Sequence, residues 1–76
     1  MTDRKHLAKM LDWAAEHASY PASSKQCWFL AGLMAEAGDD DVSVLFGDIC
    51  PTQRRLSSKM ASTFIDQYLS AKRAAA

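Results

Sequence analysis

A chain of 76 residues that is 49% hydrophobic and 24% charged is the right size and composition for one small folded domain, and not for a disordered segment. Its longest apolar stretch, Cys27 to Ala35, is far too short to span a bilayer. The formal net charge is zero, which argues against the uniformly basic surface of a direct nucleic-acid binder.

The charge is nevertheless unevenly placed. Residues 1–50 hold four Lys/Arg against eight Asp/Glu, whereas residues 51–76 hold five against one, so the halves carry −4 and +4. Such a division predicts a bipolar surface, used either within the fold, between copies, or toward a partner. The opening Met-Thr-Asp-Arg-Lys-His has no apolar signal region. Cys27 and Cys50 are therefore expected to be reduced thiols in a cytoplasm.

In chain order, the first helix is predicted from about Asp3 to Ala18. Leu7, Met10, Leu11, Ala14 and Ala18 recur at the spacing of one apolar stripe. Thr2 or Asp3 caps it, and Pro21 closes the segment. Trp13 and His17, four residues apart, mark the edge of that stripe.

The second helix is announced by Ser23 and Gln26, the first and last residues of a capping box in which each side chain satisfies the other's backbone donor. The run Cys27 to Ala35 is apolar around nearly its whole circumference, which predicts a central helix with Trp28 in the core. Gly38 supplies the left-handed stop, and Asp39-Asp40-Asp41 forms a solvated loop.

Val42, Val44 and Phe46 alternate as a strand would, but the chain offers no partner strand. A short helical turn through Val44 to Gly47 is the better expectation. Pro51 and Thr52 begin a linker or turn carrying Arg54 and Arg55. The last helix takes Ser57 as N-cap and runs to about Ala71, with Met60, Ala61, Phe64, Ile65, Tyr68 and Leu69 as its apolar stripe. Lys72 and Arg73 complement its C-terminal dipole, and Ala74 to Ala76 fray. The expected fold is an all-α domain spanning residues 1–76, a small bundle of three main helices plus one short helical turn.

Ser-Ser-Lys-Gln at 23–26, an apolar helix ending Glu-Ala-Gly, and Leu-Ser-Ser-Lys-Met-Ala-Ser-Thr-Phe-Ile-Asp-Gln-Tyr-Leu at 56–69 together resemble a small helical module. In that module a Thr-x-Lys-Gln helix precedes a Leu-Thr-x-x-Glu-Ala-Ser-x-x-Ile-Asp-x-x-Leu helix. It occurs in short uncharacterised bacterial and phage proteins, and as an appendage of some phage single-strand annealing proteins. Lys25, Gln26, Ala61, Ser62, Ile65, Asp66 and Leu69 carry the resemblance across roughly residues 23–71. Where the module has Glu, this chain has Met60, so the second capping box loses its carboxylate and Met60 is expected to touch something. Ala61 and Ser62 read as small residues at a close helix crossing, and Asp66 as a local charge partner, for example of Lys25.

The chain carries no arrangement that predicts catalysis. His6, His17, Cys27 and Cys50 lack paired metal-ligand spacing, the three glycines do not form a phosphate loop, and Asp39 to Asp41 lack the spaced oxygens of a calcium site. No metal and no cofactor is expected. The expected role is that of a non-enzymatic, phage-type protein docking on a host protein complex that handles nucleic acid, as inhibitors of CRISPR systems do. Partner contact is assigned to Arg54, Arg55, Lys59, Lys72 and Arg73 with Trp13 and Met60. A nucleic-acid-binding accessory using the same basic residues on phosphates is the alternative. Asp39, Asp40 and Asp41 form an alternative acidic face. The apolar surplus of the second helix also predicts a homodimer.

Overall fold

The computed structural model describes residues 3–47, 49–50 and 53–75. Four helices follow one another: α1 (Arg4–Glu16), α2 (Ser24–Ala37), α3 (Ser43–Phe46) and α4 (Ser58–Ala75). The protein is an all-α bundle of three long helices and one short turn, as expected. Pro51 and Thr52, the expected start of a linker or turn, lie outside the described residues.

Asp3 caps α1, its carboxylate accepting the Lys5 backbone N–H at 3.0 Å. Leu7, Ala8, Leu11, Ala14 and Ala15 form the buried stripe. The helix stops two residues short of Ala18, because His17 takes the cap position and its Nδ1–H donates to the Trp13 carbonyl at 2.8 Å. The chain then runs extended past α4's start. Ser58 donates to the Tyr20 carbonyl at 2.8 Å, Ala22 to Leu56 at 3.1 Å, and Leu56 to Ala14 at 3.1 Å. These bonds satisfy backbone groups between helices that would otherwise be buried without partners.

The Ser23/Gln26 capping box forms as expected. Gly38 closes α2 at φ 83°, and the Asp39 N–H reaches back to the Met34 carbonyl, the αL closure that glycine makes without steric cost. Ser57 Oγ accepts the Met60 N–H at 3.1 Å and so caps α4. That helix continues through Ala74 and Ala75, which had been expected to fray.

Helices α2 and α4 lie side by side and parallel. Near their starts, Gln26 Nε2 donates to the Ser58 carbonyl and to Ser62 Oγ, both at 3.3 Å, and Gln26 Oε1 accepts from Ser58 Oγ at 3.2 Å. Near their ends, the Tyr68 hydroxyl donates to Asp39 and Lys72 pairs with Glu36 at 3.0 Å. Gln26, not Lys25, makes the cross-helix link. Ala61 is fully buried on α4. Leu7, Leu11, Leu30, Met34, Leu56 and Cys27 are the largest completely buried side chains.

Burial beside Asp12 pushes the Cys27 thiol up to about 12 from 9.0. Burial and its bond to Asp39 also raise the Tyr68 phenol above its ordinary 10.0. Both groups hold their protons more tightly in the folded chain. Their contribution to stability is complete below the unfolded values near 9 and 10 and is lost as pH rises beyond them. Thermal melts across pH 8 to 11 should therefore fall more steeply for the wild type than for Cys27→Ala with Tyr68→Phe. Parallel curves would show that neither group is linked to unfolding.

Candidate docking surface

Six of the seven expected contact residues lie at or just before the start of α4 or near its end, and the seventh, Trp13, lies on α1. At the start of α4, Lys59 and Met60 line an open hollow of about 310 Å³ with Thr63 and Phe64. Lys59 is exposed, and Met60 is half-buried against the core. The ring of Phe64 meets Phe46 of α3 edge-on, with centroids 6.2 Å apart. Arg54 stands over the Phe46 ring, its guanidinium carbon 5.8 Å from the centroid. Arg54, Phe46, Phe64, Met60 and Lys59 thus form a chain of neighbours with a basic group at either end.

Arg54 is not the exposed charge that its sequence suggested. It is half-buried, and its Nε is buried without a hydrogen-bond partner among the described residues. Arg55, exposed, turns one guanidinium nitrogen to the Arg54 carbonyl at 2.9 Å. The Leu56 N–H to Ala14 carbonyl bond fixes this short segment on α1, one residue from Trp13 in the chain. Trp13 is half-exposed, with its ring centroid 4.3 Å from that of His17. Trp13 and His17 therefore lie against each other on α1, as their four-residue spacing implied.

Lys72 and Arg73 stand apart from this group. Lys72 lies thirteen positions after Lys59, a distance of about 20 Å along the axis. Lys72 is turned to Glu36 of α2, while Arg73 falls on the outward stripe of Lys59, with Asp66 midway between them. A carboxylate in the middle of that stripe breaks it as a track for successive phosphates.

The acidic loop is largely occupied with the fold. Asp39 accepts the Tyr68 hydroxyl, and Asp41 accepts the Ser43 N–H at 2.9 Å to start α3. Among the described residues, no three His, Cys, Asp or Glu side chains converge to hold a metal ion. No described helix is long and apolar enough to cross a membrane.

Trp28 and Phe29 are 44% and 47% exposed, whereas Trp28 had been assigned to the core. The guanidinium of Arg4 covers the Trp28 ring at 4.0 Å and donates to the Trp28 carbonyl from Nε at 3.2 Å and Nη2 at 3.0 Å. A helix apolar on all sides gives no hint of which side is left uncovered.

No protein-family model matches this chain, and comparison with curated proteins and with solved structures finds no match.

Proposed function

We propose that this protein acts by stoichiometric binding, docking on a host protein complex that handles nucleic acid and blocking or modulating it, as phage-encoded inhibitors of CRISPR systems do. The observation that carries this reading is the apolar hollow of Met60 and Phe64, flanked by Lys59 and backed by Arg54 and Phe46. An apolar patch bordered by basic groups suits a protein surface with an acidic rim. Charge sets the approach and orientation, and buried aromatic and Met contacts set the lifetime. The resemblance of residues 23–71 to phage-associated modules supports the class of partner. The cytoplasm is the compartment this role requires.

Arg55→Glu with Lys59→Glu is the test pair, since both side chains are exposed and exposed charges contribute little to stability. Affinity capture from a bacterial host should recover a nucleic-acid-handling complex with the wild type and lose it with the double variant, at unchanged helicity. Capture at wild-type affinity in moderate salt would remove this surface from consideration. Gel shifts with single- and double-stranded nucleic acid test the accessory role. Strong, salt-sensitive binding lost in the same variant would replace protein docking with phosphate contact.

A further inference from the structure

The outward stripe of α2 presents Lys25, Phe29, Gly32 and Glu36, spaced four, three and four residues apart. That spacing reads the same from either end, and the charges at its two ends are opposite. Phe29 stands 47% exposed, and next to it lies an open hollow of about 320 Å³ lined by Arg4, Phe29, Gly32, Leu33, Ala35 and Glu36. At Gly32 the place of a side chain is taken by the Arg4 guanidinium, which forms part of the wall of this hollow. A Cβ there would lie 2.7 Å from the Arg4 guanidinium, which is itself held in place by the Trp28 ring and carbonyl.

We propose that this stripe is the interface with a second copy of the chain, in which α2 packs antiparallel on α2 and each Phe29 enters the other copy's hollow at Gly32. The register is set by the residues themselves. The pairs Phe29 with Gly32 and Lys25 with Glu36 are centred on the same point, between Leu30 and Ala31, so one two-fold axis satisfies both. The apolar knob meets the Arg4 guanidinium that lies over Gly32, and each Lys25 ammonium reaches the second copy's Glu36 carboxylate, whose Oε2 also holds Lys72 of its own chain. An isologous dimer requires such a self-complementary patch, whereas a foreign partner has no need of one. The Arg4 guanidinium over Gly32 receives the face of the incoming Phe29 ring as it already receives that of Trp28. The surface is separate from the Lys59–Met60 hollow, and the inference stands whether or not that hollow docks a partner.

Sedimentation of the wild-type chain from micromolar to millimolar concentration should show the 8.4 kDa monomer giving way to a dimer. Phe29→Ala should weaken the dimer by about tenfold or more, the effect of removing a central aromatic anchor, with helicity retained because the ring is half-exposed. Lys25→Glu places like charges opposite each other and should weaken it by a similar factor, roughly tenfold. Lys25→Glu combined with Glu36→Lys exchanges the two ends and should restore the dimer. A chain that stays monomeric at millimolar concentration overturns the proposal, as does a dimer indifferent to Phe29→Ala. A dimer weakened by both single charge reversals and not restored by the exchange overturns the antiparallel register.

Discussion

Leu30→Asp is expected to unfold the domain outright. Leu30 has no exposed surface and lies on the inward side of α2, the helix that packs against both α1 and α4. A carboxylate at that position loses its hydration and gains no partner, at a cost of several kcal/mol. A domain of this size has a total stability of about 5 kcal/mol, so the change consumes most or all of it. Leu30→Met, which keeps the volume and the apolar surface, should cost less than about 1.5 kcal/mol and remain folded. Circular dichroism with thermal melting separates the outcomes. A helical Leu30→Asp protein with a cooperative melt close to that of the wild type would show that α2 is not the centre of the core.

What the sequence made legible was local. Ser23 with Gln26, Gly38, and Ser57 ahead of Met60 each act through one turn of backbone, and the ends they predicted for α2 and for the start of α4 are those observed. The α3 turn was legible by elimination, because an isolated strand would leave its backbone groups unpaired. The stop of α1 was placed two residues late, since Pro21 marks where a helix cannot continue and not where a histidine side chain closes it sooner.

The misjudged features depend on contacts between distant segments. Gln26 read as half of a cap, yet its amide also ties α2 to Ser58 and Ser62 of α4, more than thirty residues on. Arg54 read as an exposed charge, but the packing of its segment near Phe46 buries its Nε. Arg54→Glu would therefore mix a stability effect with any binding effect, and Arg55 and Lys59 are the cleaner probes. The nearly all-apolar surface of α2 predicted a central helix covered on several sides. Three helices leave one side open, and Phe29 and Trp28 lie there. The candidate surface was thus legible in its residues and not in its grouping. Lys59 and Met60 share a hollow, whereas Lys72, placed in the same set by charge alone, is engaged with Glu36 at the far end of the helix.

Leu56→Ala should destabilise the fold more than any other truncation outside a helix. Leu56 is completely buried although it lies in the irregular segment before α4. Its N–H donates to Ala14 of α1, and its carbonyl accepts from Ala22 ahead of α2, so its backbone joins three parts of the chain. The side chain fills the space that this junction encloses. Cutting it back to a methyl group leaves a cavity worth about 2–5 kcal/mol, since hydrogen-bonded backbone on both sides limits collapse around it. For a domain of this length that corresponds to a fall in melting temperature on the order of 10 °C or more. Leu56→Met should recover most of the loss by refilling the volume. Truncation of Ser58, exposed at the start of α4, removes a single hydrogen bond to Gln26 and should cost about 1 kcal/mol. The same segment carries Arg54 and Arg55 and is fixed on α1 through the Ala14 carbonyl. Leu56→Ala is therefore also expected to weaken partner capture at temperatures where the variant is still folded, without removing a contact residue. Melting within about 2 °C of the wild type would show that the junction is held by its backbone bonds and not by the Leu56 side chain.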